Sequence, residues 1–319
     1  MPIHSESMQS NTADAARSPM TLSVIVAVHN ESANIAPFYA RAKAVLDGLS
    51  GLHEWSVVFV NDASEDNSLA EILKLRDADR RVKVVTLSRR FGYHAVLVAG
   101  LTNVESDLYA MVDVDCEDPP ELLAKFYESI QAGAQVAYGI RSKREEPAFL
   151  TFLRKLFYYS NKYLADNDFV VWMAEFAMIT RQVRDAILSP RTTYPFLRAE
   201  LGYAGFKRVG IPYFRAKRQH GRSHYSLLRM TKFAIAGSLS SSTFLLRLVL
   251  YVAAFLGIAF PATVLLLGLS AEMAVKVAVV LGFYFLLMTL PILALYLART
   301  YKNGIARPVF VIDETQTYL

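Results

Sequence analysis

The chain has 319 residues, is 53% hydrophobic and 20% charged, and carries a formal net charge of +5. Its single cysteine excludes an intramolecular disulfide and fits a reducing compartment. The hydrophobic excess gathers after about residue 240, which excludes a uniformly soluble chain and points to one soluble domain followed by a membrane part.

The first stretch, "MPIHSESMQSNTADAARSPM", is polar and lacks an apolar centre. It reads as a disordered tail over 1–20 and not as a signal peptide, so the following domain is expected to stay in the cytosol. "LSVIVAVHNE" (22–31) is a strand apolar on both faces, of the buried parallel type, and a helix is expected over about 33–49. "WSVVFVNDASEDNS" (55–68) is a second strand with an acidic exit, followed by a helix over about 68–78. "VKVVTLS" (82–88) and "YHAVLVAGLTNV" are the third strand and helix, and "LYAMVDVD" is the fourth strand. Strands that alternate with helices build a parallel sheet with right-handed crossovers. Ligands of such sheets lie beyond the carboxyl ends of the strands. Asn30, Glu31, Asp62, Arg89 and Asp115 all fall at such ends and are expected to share one cleft.

Four carboxylates crowd the exit of the fourth strand: Asp113, Asp115, Glu117 and Asp118. Charges this close raise one another's pKa, so a cation is expected among them. Alternate strand residues point the same way, which lets Asp113 and Asp115 face one ligand. Hard oxygen donors suit Mg²⁺ or Mn²⁺ shared with substrate phosphates. An isolated Asp-x-Asp is more often a solvated loop. Here the buried strand before it and Asp62 on a neighbouring strand favour a metal–diphosphate site. Cys116 reads as a packed side chain, because Mg²⁺ avoids thiolate. "RKLFYYSNKYL" (154–164) has the spacing of an amphipathic helix near a membrane.

Beyond residue 210 a basic run collects Arg215, Lys217, Arg218, Arg222 and His224. It can hold an acceptor phosphate or meet anionic headgroups, and no aromatic readout motif accompanies it to indicate nucleic acid. Residues 226–243 have the composition of a juxtamembrane interfacial helix. Leu248 to Leu269 carries no charge, and Ala274 to Ala298 carries one lysine. At about 1.5 Å per residue each can cross a core of about 30 Å. Arg222, Arg229, Lys232 and Arg247 precede the pair, and Arg299, Lys302 and Arg307 follow it. The positive-inside rule then puts both ends in the cytoplasm, with 299–319 as a C-terminal tail.

Four segments in this order, "SVIVAVHNE", "VVFVNDASEDNS", "LSRRFGYHAVLVAGL" and "MVDVDCEDPPE", resemble the family-2 inverting glycosyltransferases of GT-A fold. The resemblance spans about residues 20–225 and is strongest to the polyprenyl-phosphate sugar transferases, the branch of dolichyl-phosphate mannose synthase and the bactoprenyl glucosyltransferases. It implies an α/β, Rossmann-like GT-A domain over 21–225 that binds a nucleotide sugar, followed by a two-helix transmembrane anchor over 244–298. The implied reaction moves a hexose, from a UDP-sugar in the first instance, to a polyprenyl phosphate such as undecaprenyl phosphate. A GDP-mannose donor and a non-catalytic membrane scaffold are the alternatives. The implied place is the bacterial inner membrane with the catalytic domain on its cytoplasmic face, and a homo-oligomer through the transmembrane region is compatible with it.

By the same resemblance, Val28, Asn30 and Glu31 line the nucleotide pocket and Asp62 binds base or ribose. Arg89 and Gly92 belong to a donor loop, and Asp113, Val114 and Asp115 meet the diphosphate, with Asp113 and Asp115 as metal ligands and Asp115 in the catalytic set. Arg215, Arg218, Arg222, Ser223, His224 and Tyr225 form the phosphate and acceptor segment. Several positions depart from the family pattern: Ala27 and His29 in the first strand, Ala63 for a glycine, Cys116 and Glu117 for Leu-Gln, and His224 for a lysine. The family's Gly-Asp-Phe-Arg-Leu appears as "AEFAM" (174–178), which puts Glu175 in place of the catalytic aspartate and Ala177 in place of an arginine.

Overall fold

The computed structural model describes residues 20–141, 173–189, 192–193, 195–216 and 242–319. The polar N-terminal stretch, the amphipathic segment 154–164, nearly all of the juxtamembrane segment, and Arg218, Arg222, Ser223, His224 and Tyr225 lie outside these residues.

The sheet has seven strands: β1 Met20–Val28, β2 Leu52–Asn61, β3 Val82–Thr86, β4 Leu108–Asp113, β5 Val136–Arg141, β6 Met173–Thr180 and β7 Arg208–Tyr213. Its spatial order is β3-β2-β1-β4-β6-β5-β7. Strands β1 to β4 are parallel neighbours, β6 runs antiparallel to both β4 and β5, and β7 returns parallel to β5. The helices beside the sheet are α1 Ser32–Leu46, α2 Ser68–Ala78, α3 Tyr93–Asn103, α4 Leu122–Gln131, α5 Arg181–Leu188 and α6 Leu197–Tyr203.

The near-continuous apolar runs of β1, β2 and β4 are explained by burial on both faces. Leu22, Val24, Val26 and Val28 of β1 enter one core, beside Phe38, Phe59 and Phe126. Ile25 enters the other, with Val58, Val60, Tyr109 and Met111. The period of two is the pleat itself. The chain order reverses at β1, which has β2 on one side and β4 on the other. A crevice therefore opens at the carboxyl ends of β1 and β4, the usual ligand position in such sheets.

Two strands end earlier than their sequences promise. β1 stops at Val28, because Asn30 takes a left-handed φ of 55°. Asparagine tolerates that conformation better than most residues, and its side chain accepts the Glu65 N–H at 2.8 Å. β4 stops at Asp113, and Cys116 has a φ of 55°. Asp115 thus lies in the turn beyond the strand and accepts the Glu117 N–H at 3.0 Å. Strand alternation does not decide where it points.

Helices α7 Phe244–Leu267 and α8 Ala271–Ile305 follow, both long and apolar enough to cross a membrane by length and composition. α8 has 35 residues, about 52 Å at the standard rise and well beyond a hydrocarbon core of about 30 Å. Its last turn reaches the catalytic domain, where the Thr193 N–H and hydroxyl donate to Asn303 Oδ1 at 3.1 and 2.7 Å. The residues after it are not a detached tail: Ile312 and Tyr318 bridge antiparallel to Leu87 and Val84 at the outer side of β3. Nothing in their composition announces this, since pairing needs only backbone.

α3 packs directly on the sheet at Gly100, where an added Cβ would lie 2.3 Å from Ile25 Cγ2 and 3.0 Å from Val60 Cγ2. Helix propensity favours alanine by about 1 kcal/mol and overpacking costs about 1–3 kcal/mol; with a contact this short the upper end applies, so Gly100→Ala should destabilise the domain by about 2 kcal/mol. The midpoint of chemical denaturation, followed by intrinsic fluorescence, checks this.

Candidate active site

Asp62 leaves the end of β2 with its carboxylate turned inward, and only 3% of the residue is exposed. One oxygen accepts the Phe91 N–H at 2.7 Å and the other the Gly92 N–H at 3.0 Å. Its own N–H donates to the Val28 carbonyl at 2.9 Å. Asp62 therefore ties β1, β2 and the β3–α3 loop together, whatever it also offers a nucleotide. Gly92 has a φ of 97°, a region that other residues rarely adopt, and this lets both amides turn toward one carboxylate.

The same loop runs into the first turn of α3, which reaches two more carboxylates. The Tyr93 hydroxyl lies near enough to Asp113 for each to feel the other's charge. His94 Nδ1 lies 3.9 Å from Glu175 Oε2. Residues 91–94 thus bring Asp62, Asp113 and Glu175 around one turn of chain. Burial, and then the Asp113 charge, holds the Tyr93 hydroxyl well above its usual pKa. Burial pushes His94 down, against the pull of Glu175, so the ring is kept neutral.

Glu175 sits within β6, not at a helix start. Arg198 of α6 donates to its Oε1 at 3.2 Å, and both side chains are nearly buried. This pair, with the His94 ring packed edge-on against Phe196 at 5.1 Å, forms one wall of the crevice.

The acidic cluster at the β4 exit is only partly left for an external cation. Asp118, 1% exposed, accepts from Arg141 Nη2 at 2.7 Å and from the Tyr213 hydroxyl. Arg141 Nε also donates to that hydroxyl at 3.0 Å. Arg215 pairs with Glu117 and lies 3.8 Å from Asp118. The protein's own arginines thus answer Glu117 and Asp118. For Asp113 the balance differs: burial, then the charges of Asp118 and Asp115, push its pKa up to about 7. Two hard carboxylates, one of them raised by burial and like charge, suit a divalent cation. Among the described residues, no group of three or more His, Cys, Asp or Glu is arranged to hold a metal by itself. A cation here would rest on Asp113, Asp115 and substrate oxygens.

The remaining expected residues are placed as follows. Val28 and Val114 are buried, so only their backbone can meet a ligand. Asn30 and Glu31 stand at the β1 exit, with Glu31 N–H donating to Ser68 Oγ at 2.9 Å and its carboxylate accepting from Asn34 at 2.6 Å. Arg89 is exposed and stacks over the Phe91 ring at 4.0 Å. Arg215, expected to serve the acceptor, pairs with Glu117 of the acidic loop. Sequence reasoning missed Tyr93, His94, Arg141, Arg198 and Tyr213. Arg141 and Tyr213 close strands β5 and β7 and Tyr93 opens α3, so their place at element ends was the available signal.

Removing one partner of a buried ion pair is costly. Arg141→Met should destabilise the domain by about 3 kcal/mol, the low end of such losses because Asp118 keeps Tyr213. Adding Asp118→Asn should return part of that loss, read as a coupling energy in a double-mutant cycle of denaturation midpoints.

Comparison with known proteins follows this geometry. A prophage bactoprenol glucosyl transferase homolog of Escherichia coli K12 is 28% identical over 312 residues, covering 93% of this chain and all 100% of its relative. An undecaprenyl-phosphate 4-deoxy-4-formamido-L-arabinose transferase of Pseudomonas fluorescens is likewise 28% identical, over 92% of this chain and 89% of its own. Among solved structures, the glucosyl-3-phosphoglycerate synthase of Mycobacterium tuberculosis, bound to Mn²⁺, UDP-glucose and phosphoglyceric acid, superimposes with a TM-score of 0.51 at 19% identity, over 74% of this chain and 85% of that one. That likeness concerns the fold, which is GT-A. The model of glycosyl transferase family 2 matches residues 23–188, just over half of the 319, and the chain belongs to that family: it is a glycosyltransferase.

Proposed function

We propose that the chain transfers a hexose from a nucleotide sugar, in the first instance a UDP-sugar, to a polyprenyl phosphate at the cytoplasmic face of a bacterial inner membrane, inverting the anomeric centre. The observation that carries this reading is the extent of the similarity. Relatives named for bactoprenol and undecaprenyl phosphate match over more than nine-tenths of the chain, through both apolar helices. A water-insoluble acceptor gives those helices a purpose, because they hold the cleft beside the lipid.

In the proposed reaction an oxygen of the lipid phosphate bonds to the anomeric carbon. The bond from that carbon to the diphosphate breaks, and the nucleoside diphosphate leaves with the electron pair. Asp113 and Asp115 would hold a divalent cation, Mg²⁺ or Mn²⁺, whose charge would neutralise the leaving group. Asp62 keeps the Arg89–Gly92 loop folded against the β1 and β2 exits, where the nucleotide would lie. Arg141 and Arg215 pair with Asp118 and Glu117 and so offset part of the negative charge beside the diphosphate site.

The acceptor phosphate has a second pKa of about 6 and is already largely ionised near neutrality. It needs orientation more than deprotonation. Glu175, paired with Arg198 and next to a neutral His94, is suited to orienting the acceptor.

The direct test incubates membranes with radiolabelled nucleotide sugars and follows label into organic solvent. Asp115→Asn should abolish that transfer in a protein that stays folded and membrane-bound. Full activity of the variant, or of the native protein in excess chelator, would overturn the metal reading.

Glu175→Gln should lower kcat about 10²-fold, the low end for a positioned carboxylate, with donor affinity unchanged. An orienting role also leaves the acid limb of the pH–rate profile in place in the variant. Loss of that limb would make Glu175 a general base, and loss of donor affinity would move it to the donor pocket.

A further inference from the structure

The segment that follows α8 turns back and adds itself to the outer side of β3. The Val84 N–H donates to the Tyr318 carbonyl at 2.7 Å, and the Tyr318 N–H returns the bond at 2.7 Å. Thr86 is held from three directions: its N–H by Thr317 Oγ1 at 3.0 Å, its hydroxyl by the Gln316 carbonyl at 2.8 Å, and its carbonyl by the Asp313 N–H at 2.8 Å. The last rung is the Ser88 N–H donating to the Val311 carbonyl at 2.9 Å, beyond the end of β3. Phe310 and Ile312 pack on the same core as Phe91 and Tyr93. Arg76 lies over the Tyr318 ring at 4.8 Å.

The position of the last rung matters. Ser88 precedes Arg89, and the amides that satisfy Asp62 belong to Phe91 and Gly92. On its other side, the Leu87 N–H donates to the Asn61 carbonyl at 2.9 Å, in the residue before Asp62. The strand that delivers the loop is therefore gripped from both sides until the loop begins.

We propose that residues 310–318 are a strap that positions the Arg89–Gly92 loop for the donor, so that the chain beyond the membrane helices completes the nucleotide-sugar site. Val311, Asp313, Thr317 and Tyr318 act through β3 and are positioning residues. Without them β3 becomes an open edge and the loop loses its support on the outer side. Donor binding must then itself order the loop, and apparent affinity falls by the fraction of molecules in which the loop is ready. This rests on the donor site proposed above. A strap that merely covered the edge against aggregation would leave donor affinity alone.

The test compares the full chain with a variant lacking residues 309–319, both in detergent, with the labelled sugar nucleotide that the native protein accepts. The strap predicts that donor KM rises about tenfold while kcat and acceptor KM hold, the signature of lost uniform binding. A synthetic peptide of residues 309–319 should restore the native KM saturably, and a scrambled peptide should not. Hydrogen exchange should quicken at the Phe91 and Gly92 amides, with α1 unaffected. Unchanged donor KM in the folded variant overturns the strap, as does a fall in kcat at unchanged KM. Should the truncated chain fail to fold, Asp313→Pro carries the same test, since it removes the Asp313 N–H rung and the carboxylate that caps the following turn while the full chain is kept. Exchange reads the strap without any donor: quickened exchange in a protein that transfers from no sugar nucleotide would overturn the donor reading and leave the strap standing.

Discussion

Electrostatic crowding at the carboxyl edge of the sheet is the constraint on which the rest of the site depends. Asp62, Asp113, Asp115, Glu117, Asp118 and Glu175 converge on one crevice, and carboxylates in a low-dielectric setting cannot all stay charged unless each is answered. The answers differ in kind. Backbone amides meet Asp62, an arginine and a tyrosine meet Asp118, and single arginines meet Glu117 and Glu175. At Asp113 burial and like charges win, and its pKa rises to about 7. The protein thus screens the charges that frame the site and leaves a deficit where a cation and a diphosphate would meet.

The first turn of α3 is the mechanical counterpart of that arrangement. Its approach loop supplies both amides to Asp62, Tyr93 lies near Asp113, and His94 lies beside Glu175. Three strand ends far apart in sequence are referenced to one short segment. A shift in that segment would disturb Asp62, Asp113 and Glu175 together, which is why its support matters. Gly100 seats α3 close on β1 and β2, and Asp62 clamps its start.

The chain from α8 onward is joined to this machinery at the end of that helix and in the segment after it. The end of α8 is hydrogen-bonded to Thr193, ahead of the helix that carries Arg198. The segment after it lies along β3. Helices that are apolar enough for a membrane therefore continue into contacts with the catalytic domain. The apolar helices and the sheet are tied together by this backbone pairing, by the Asn303 and Thr317 side chains and by the packing of Phe310 and Ile312.

The sequence by itself determined the alternation of strands and helices, the two apolar spans, and the set of acidic strand ends. These follow from local chemistry: two-sided burial writes continuous apolar runs, and a membrane span writes about 20 of them in a row. α2 occupies the expected residues, and the order of motifs along the chain carried the family. What only the tertiary structure decided were the partners. Asp115 left the strand because Cys116 turned left-handed. Arg215 paired with Glu117 across the chain. Arg141, Tyr213 and Arg198 joined the site from strands and helices whose adjacency depends on the order β4-β6-β5-β7. The pairing of residues 311–318 with β3 was invisible for a related reason: it is made almost wholly by peptide groups, which every sequence carries alike. Which charges meet and which backbone edges pair are properties of the packed chain, because they join residues that no local pattern connects.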